Sequence, residues 1–505
     1  MSGGATLQMF GAAPAPRALQ GAAPAPPPAR QAQSIRSAWV SLGVSVTLTS
    51  VFFAIYAVAD ATLFMVCSYL LAVSCLCFVL LHQPGESLLP AKVASLLYAA
   101  SFSYAPLWLA DRGVFQLPYF GLDFRPLLGV TSFITLAGYF AFLAGYFLVL
   151  RLFGRRTPAG VTQRAPGVNL GRQPFALLWA VVMGMLGAFC YVKLVVGSGG
   201  LAHLLVYSGG RADITAGVYG GWFWGAHLLF VAYGLFAVAA MRKHRWLCLL
   251  LALALAAVFV PLQGRDIVVG PVFCWLLFSH VLYKPLRWRT VMVGSIAIVL
   301  IAALLAAYRN GGNRLAAHDV GAFLSSFYES AEKHLTDVVS ANIDQLDTAM
   351  IAVRYVELNG HTIGPTALLS WLAPLNRQFF GGAIPSIYTG IFMDLLVNPQ
   401  HRGWNTALSP SLPGELYISL GWQGVALGML VYGAVFALLT VWVQRGVFLR
   451  PLLFAAYPFV VYMLAKMIVD GTTHAFRPMI VFLAALACAL LAPVGTRERR
   501  VAVPA

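Results

Sequence analysis

Apolar runs about twenty residues long follow one another along most of the chain, separated by short polar turns. A run of roughly 18 or more apolar residues can cross the hydrocarbon core of a bilayer as a helix. About twelve such runs are present. The pattern therefore predicts an all-α, polytopic membrane protein. Its spans are expected at 38–58, 61–81, 93–110, 127–150, 174–196, 222–241, 246–262, 267–283, 290–308, 416–442, 451–469 and 478–493.

One long polar interval, residues 309–415, interrupts this pattern late in the chain. It divides the sequence into transmembrane helices 1–9 over 38–308, a loop domain over 309–415 and transmembrane helices 10–12 over 416–493. Residues 1–37 are rich in Ala, Pro and Gly without an apolar core, which predicts a disordered cytoplasmic tail. Residues 494–505 form a second cytoplasmic tail.

The interval has helices of its own. Apolar residues recur at helical spacing between Val320 and Val339, which predicts an amphipathic helix. A second helical stretch is expected from Asp344 to Leu358, after which Gly and Pro residues break the pattern. Asp344 and Asp347 stand three residues apart there. No His or third acid follows at ligand spacing, so we interpret them as a solvated helix face and predict no metal site.

Composition and charge agree with a membrane protein. The chain is 60% hydrophobic and 10% charged, and its net charge is +16. With the N-terminus placed inside and the spans alternating, 20 of the 33 Lys and Arg lie on the cytoplasmic side with only Glu86 and Glu498 as acids. This bias is the positive-inside signal, so nucleic-acid binding is not needed to explain the charge. The even number of spans puts both termini in the cytoplasm. All seven cysteines fall in apolar runs, where they predict neither disulfides nor a metal site.

Three external turns carry charged residues, and the tightest of them must stay at membrane depth. The tightest is Gln263-Gly264-Arg265-Asp266, where an arginine on the outer side runs against the positive-inside bias. A Gly-rich turn contains Arg211, and the turn before the last span contains His474 and Arg477. Glycines allow close approach to a ligand, and arginine binds phosphate oxygens in pairs. Ordinary interfacial polarity explains the same residues, and both interpretations stay open at this point.

Four short motifs resemble those of Wzy-type oligosaccharide repeat-unit polymerases. They are Gly264-Arg265-Asp266 after a span, Tyr308-Arg309-Asn310 opening the large loop, Gly414-Glu415-Leu416-Tyr417-Ile418 at its close, and Leu420-Gly421-Trp422-Gln423-Gly424 entering the next span. Twelve spans with internal termini and a large late loop are similar to the same family, so the resemblance covers residues 38–493. It implies a fold like that of GT-C membrane glycosyltransferases.

The resemblance also implies an activity. A glycan carried on undecaprenyl pyrophosphate would pass to the non-reducing end of another lipid-linked repeat unit, at the periplasmic face of the bacterial inner membrane. The partners would be undecaprenyl-pyrophosphate-linked oligosaccharides and the lipid bilayer, together with a chain-length regulator and a flippase. An O-antigen ligase is the alternative within the same class of transferase, and a lipid-linked sugar flippase or transporter is the alternative outside it.

The chemistry of that transfer identifies candidate residues. Stabilising a pyrophosphate leaving group calls for guanidinium groups, and the available ones are Arg211, Arg265, Arg309, Arg314 and Arg477. No metal or other cofactor is required if several of them converge. The acceptor hydroxyl needs a general base, for which Glu415 is the first choice at the mouth of a span, followed by Asp266, His361 and His474. A helix N-terminal acid is the alternative interpretation of Glu415. The simplest mechanism is an inverting single displacement.

Overall fold

The computed structural model is helical throughout the part of the chain that it describes, with no strand in that part. It describes residues 60–83, 86–111, 125–153, 173–206, 220–262, 265–284, 286–287, 289–291, 293–294, 296, 321, 325, 345–361, 411–446, 454–471 and 476–491.

Fourteen α-helices lie in these ranges. In chain order they are α1 (Asp60–Leu81), α2 (Pro90–Ala99), α3 (Ala105–Asp111), α4 (Leu128–Phe153), α5 (Gln173–Gly197), α6 (Leu201–Val206), α7 (Gly220–Ala226), α8 (Leu228–Ala240), α9 (Arg245–Phe259), α10 (Arg265–Phe278), α11 (Leu346–Asn359), α12 (Leu412–Gly446), α13 (Tyr457–Asp470) and α14 (Phe476–Leu491). Two π-helical segments extend them, Ala100–Tyr104 between α2 and α3 and Ser279–Tyr283 after α10.

Five helical stretches are long and apolar enough to cross a membrane, which makes the chain an all-helical membrane protein. They are Leu63–Leu81, Leu128–Phe153, Phe175–Gly197, Gly221–Ala240 and Leu412–Val443. Apolar helices of membrane-spanning length are confirmed at the spans predicted at 61–81, 127–150, 174–196, 222–241 and 416–442. Three shorter apolar helices, Arg245–Phe259, Val268–Tyr283 and Tyr457–Val469, coincide with further predicted spans. The span at 38–58 and most of 290–308 lie outside the described residues, so the count of twelve stays a prediction.

The helices α1, α4 and α12 run side by side in the same direction. Phe78, near the end of α1, contacts Tyr146 near the end of α4, with ring centroids 5.6 Å apart. Phe133, near the start of α4, contacts Trp422 in the N-terminal part of α12 at 5.5 Å. We call the end of the bundle where these three helices begin the interval end, because α12 follows the polar interval directly.

The turns at the opposite end of the bundle are joined by polar contacts. Ser87 donates to the backbone oxygen of Leu286 over 2.7 Å, and His280 Nε2 lies 3.0 Å from Glu86 Oε2. The Nε of Arg242 donates to the oxygen of Leu282 over 3.1 Å. These contacts bring together the turns after α1, after α8 and after the segment Ser279–Tyr283. We call this the basic end, since exposed Arg and Lys side chains surround it.

Glycines bring α4 and α12 into backbone contact. A Cβ atom added at Gly145 would lie 1.9 Å from the backbone oxygen of Leu430, and one added at Gly433 would lie 1.9 Å from that of Phe142. Lipid tails are as apolar as leucine, so membrane helices associate through close packing of small residues of this kind. The pair α4–α12 therefore forms a rigid wall of the core that also includes α1, α2 and the buried side of α11.

Candidate functional site

The helix α11 is the part of the polar interval that the structure describes at length, and its first half is embedded among the membrane helices. Leu346 and Met350 are fully buried, whereas the last turn from Arg354 onward is exposed. The backbone N–H of Gln345 donates to the oxygen of Ser101 over 3.1 Å. Ser101 belongs to the π-helical segment Ala100–Tyr104, a type of distortion that is frequent at functional sites.

The helix predicted from Asp344 to Leu358 is confirmed as α11, although the solvated-face interpretation of Asp347 is wrong. Asp347 lies in the first turn of α11 and is partly buried. Burial raises the pKa of its carboxyl from an ordinary value of 3.8 to about 6. Desolvation disfavours the charged form of a carboxyl, so this group holds a proton more readily than a surface aspartate. A base that titrates near neutral pH suits proton transfer.

Helix α12 begins at a serine cap. Ser411 adopts a positive φ of 52°, and its Oγ accepts a hydrogen bond from the N–H of Gly414 over 3.4 Å. Its backbone oxygen accepts from the N–H of Glu415 over 3.0 Å. Serine is a preferred N-cap because its side chain satisfies one of the free amides of the first turn. The helix thus starts four residues before the predicted boundary at 416, which places Glu415 inside its first turn.

Glu415 is 1% exposed, so its burial goes well beyond the partial burial expected at the mouth of a span. The neighbouring residue explains this. A Cβ atom added at Gly414 would lie 3.1 Å from Ala352 Cβ and 3.5 Å from Ala349 Cα, so α11 lies directly against the start of α12. Asp347 stands two residues before Ala349. We call the contact of α11 with the start of α12 at Gly414 the carboxylate junction, since each of the two helices carries one of these carboxylates.

The helix α12 breaks sharply one turn later. Leu420 has φ −143° and ψ 17°, and Gly421 has φ 60° and ψ −142°, neither of which is helical. A Cβ atom added at Gly424 would lie 2.2 Å from the backbone oxygen of Leu416, so the short first helix folds back against the long second one. Only glycine adopts such a positive φ without strain. The break was not predicted, because isolated glycines are common in membrane helices.

His361 lies over this break. Its Cε1 would be 2.9 Å from a Cβ atom added at Gly421, and its ring meets that of Tyr417 edge to face at 6.0 Å. His361 is exposed, as is Trp422, whose ring is 6.2 Å from that of Tyr417. The arrangement forms an accessible surface of one imidazole and two aromatic rings at the break in α12, next to the C-terminal end of α11. Aromatic walls with a few placed polar groups are typical of binding sites.

An ion pair closes one side of this surface. Arg354 Nη1 lies 2.8 Å from Glu357 Oε2 on the exposed last turn of α11. Glu357 also interacts electrostatically with Tyr417 on α12. An exposed pair of this kind contributes little to stability, on the order of 0–1 kcal/mol. It still fixes a cation and an anion beside the aromatic surface.

The remaining candidates fall into two groups. Arg265 and Asp266 begin α10 and Arg477 lies in the first turn of α14, both at the interval end, but the placement of their side chains lies outside the described residues. Arg211, Arg309, Arg314 and His474 lie outside the described residues altogether, as does the amphipathic helix expected over 320–339 apart from two positions. Of the nine candidate residues, the structure therefore brings Glu415 and His361 to one place.

Asp347 is the residue that sequence reasoning missed. The sequence did contain a sign of its burial. Leu346, Met350 and Val353 recur at helical spacing around it and mark a buried helix face, and Asp347 is next to that face. The spacing does not show which other segment packs against that face.

No family model, no curated protein and no solved structure matches the chain.

Proposed function

We propose that this protein is a polysaccharide polymerase of the inner membrane, an inverting glycosyltransferase that uses a polyprenyl-pyrophosphate-linked donor. The observation that carries the proposal is the packing of α11 against the start of α12, which brings the buried Glu415, the partly buried Asp347 and the exposed His361 with the rings of Tyr417 and Trp422 onto one pair of helices. The junction lies at the interval end, together with the starts of α10 and α14 that carry Arg265 and Arg477. Arg265 and Asp266 of one motif and the two motifs at the start of α12 lie at this same end, while Tyr308-Arg309-Asn310 lies outside the described residues.

The roles follow from exposure and charge. Asp347 serves as the general base, because it is partly accessible and its carboxyl titrates near neutral pH. Glu415 is buried too deeply to touch a glycan and sets the negative potential of the junction. His361, Tyr417 and Trp422 lie at the other end of α11 and bind sugars of the acceptor chain that are more distant from the reacting hydroxyl. Arg265, with Arg211, Arg309, Arg314 and Arg477, binds the pyrophosphate.

The reaction balances with these groups. The carboxylate of Asp347 takes the proton of an acceptor hydroxyl as the hydroxyl oxygen forms a bond to the anomeric carbon of the donor. The bond from that carbon to the pyrophosphate oxygen breaks on the opposite face, and its electron pair leaves with the lipid pyrophosphate. Guanidinium groups stabilise the charge that develops on the leaving oxygen. The configuration at the anomeric carbon is inverted.

The direct test is reconstitution. Purified protein in detergent, supplied with undecaprenyl-pyrophosphate-linked repeat units, is expected to produce a ladder of longer lipid-linked glycans and to release undecaprenyl pyrophosphate in equal amount. Transfer to lipid A core in place of another repeat unit would identify a ligase. Intact substrate with the purified, folded protein would contradict the proposal.

Glu415→Gln is expected to slow polymerisation by about tenfold, on the order of 1.4 kcal/mol in the activation barrier. The amide keeps the shape of the side chain and removes its charge from the start of α12, but it leaves Asp347 in place as the base. Initial rates of chain extension measure the effect, with yield and thermal melting as the check on folding. A loss larger than that of an Asp347 variant would reverse the two roles and make Glu415 the base, as the sequence alone predicted.

Arg265→Lys is expected to slow chain extension by about tenfold, since lysine keeps the charge and loses the paired hydrogen-bond geometry toward phosphate oxygens. Arg287→Lys at the basic end is the matched control and should leave the rate unchanged. The same assay measures both variants. A wild-type rate for Arg265→Lys would remove Arg265 from the pyrophosphate site.

A further inference from the structure

A cavity of about 300 Å³ opens at the basic end, where the turn after α8 leads into α9. It is lined by Arg242, Lys243, His244, Arg245, Trp246 and Tyr283, with Leu247 at its edge. No acidic residue lines it. The cavity lies at the opposite end of the bundle from the carboxylate junction, so it is independent of the proposed catalytic function.

Two guanidinium groups in the cavity have fixed positions. The Nε of Arg242 donates to the backbone oxygen of Leu282 over 3.1 Å, which orients the rest of the group. The guanidinium carbon of Arg245 lies 4.8 Å from the ring centre of Trp246 and 5.1 Å from that of Tyr283. Arginine stacked on aromatic rings remains able to bind anions through the edge of its plane. The backbone is held as well, since Trp275 Nε1 donates to the oxygen of Arg245 over 3.2 Å.

The start of α9 adds partial positive charge. His244 is the N-cap residue, and its side chain makes no hydrogen bond to the first turn of this 15-residue helix. The first amides of a helix have no partner within the helix, and the helix dipole favours an anion beside them. Two fixed guanidinium groups, a lysine and this helix terminus therefore surround the same cavity. Such a set of donors matches the oxygens of a phosphate group.

An exposed apolar stripe begins at the cavity and runs along α9. Leu247, Leu250 and Leu253 are 45%, 63% and 44% exposed, as residues on the lipid-facing side of a membrane helix are. A free anion from solution would bind in the cavity without contacting these leucines. A lipid would place its phosphate in the cavity and its acyl chains along the leucines, which matches the order of polar and apolar surface from the helix start.

We propose that this cavity is a binding site for the phosphate of an anionic phospholipid. The positive-inside bias accounts for basic residues at this end of the bundle. It does not account for an arginine packed against two aromatic rings beside a helix start whose N-cap side chain makes no capping hydrogen bond. Basic pockets between membrane helices recognise anionic head groups through this combination.

The test uses the purified full-length protein in a neutral detergent. Thermal melting is measured with added phosphatidylglycerol, phosphatidylcholine or inorganic phosphate, and the bound lipid is counted by native mass spectrometry. Phosphatidylglycerol is expected to raise the melting temperature and to stay bound, while phosphatidylcholine and inorganic phosphate have little effect. Equal stabilisation by inorganic phosphate would overturn the lipid assignment in favour of a free anion.

Matched variants distinguish specific binding in the cavity from general attraction by the positive charge at this end of the bundle. Arg242→Ala combined with Arg245→Ala is expected to weaken phosphatidylglycerol binding by about tenfold or more. Arg287→Ala combined with Arg289→Ala removes the same charge from the same end outside the cavity, and we expect a change of less than about threefold. Arg245→Lys keeps the charge and should still weaken binding by several-fold, because the planar stacking is lost. Equal losses in the two double variants would contradict the proposal.

Discussion

Asp347→Asn is expected to reduce chain extension by about 100-fold to 10,000-fold, the range that a general base contributes. The amide cannot take a proton from the acceptor hydroxyl, whereas its size and hydrogen bonding stay close to those of the acid. Rates are measured with purified protein and lipid-linked repeat units.

The same substitution is expected to stabilise the fold at neutral pH. Burial raises the pKa of the Asp347 carboxyl to about 6, so the folded state binds a proton more tightly than the unfolded state. The stability of the wild type therefore falls as the pH rises from about 4 through about 6, and it stays lower above that window. Asparagine carries no charge to desolvate. The variant should gain up to about 3 kcal/mol above pH 6 and nothing below pH 4.

Thermal melting across this pH range measures the gain. Glu357→Gln, an exposed carboxylate on the last turn of the same helix, is the control and should show no pH-dependent stabilisation. A variant that is more stable and less active is the signature of a residue kept for function. An Asp347→Asn protein that is active at the wild-type rate would exclude Asp347 as the base. One that is less stable at neutral pH would contradict the burial of its charge.

Gly433→Ala is expected to prevent recovery of folded protein. The added methyl group would lie 1.9 Å from the backbone oxygen of Phe142, and backbone atoms cannot move aside as a side chain can. The helices α4 and α12 would have to separate along the core that supports the carboxylate junction. We expect a destabilisation of about 3 kcal/mol or more. The yield of monodisperse protein after detergent extraction and its melting temperature measure the effect.

Gly184→Ala is the matched control for this prediction. A Cβ atom added at Gly184 on α5 would lie 3.7 Å from Ala232 Cβ, an ordinary contact distance. Alanine also has a higher helix propensity than glycine. This variant should therefore fold with an unchanged or slightly higher melting temperature. If Gly433→Ala were recovered as well as Gly184→Ala, the close approach of α4 and α12 would be wrong.

The sequence predicted those parts of the fold that depend on local composition. The bounds of two long helices, Leu128–Phe153 and Phe175–Gly197, were predicted within a few residues. An apolar run of membrane length must form a helix in a bilayer to satisfy its backbone hydrogen bonds. The helix α11 was predicted from its spacing of apolar residues. Each of these elements is specified by its own residues, whatever it packs against.

The candidate site depends on packing between distant segments, which local patterns do not carry. Glu415 was found because it stands at the boundary between the interval and a span. Asp347 was missed because the packing of α11 depends on distant residues such as Gly414, 67 positions further along the chain, which lies against Ala349 and Ala352. The break at Gly421 was missed for a similar reason. It is marked by two contacts that exist only in the folded chain, one of His361 with Gly421 and one of the backbone oxygen of Leu416 with Gly424.

The central claim, that this protein extends lipid-linked glycans outside the cytoplasm, is tested most directly in the cells that make it. Lipid-linked glycans are extracted from a strain in which the gene is deleted, and the side of the inner membrane that carries them is determined by labelling from outside. We predict that single repeat units on undecaprenyl pyrophosphate accumulate at the external face, and that the wild-type gene, but not Asp347→Asn, restores long chains. Repeat units retained at the cytoplasmic face would indicate a flippase, and long chains that stay unattached would indicate a ligase; either result would contradict the account.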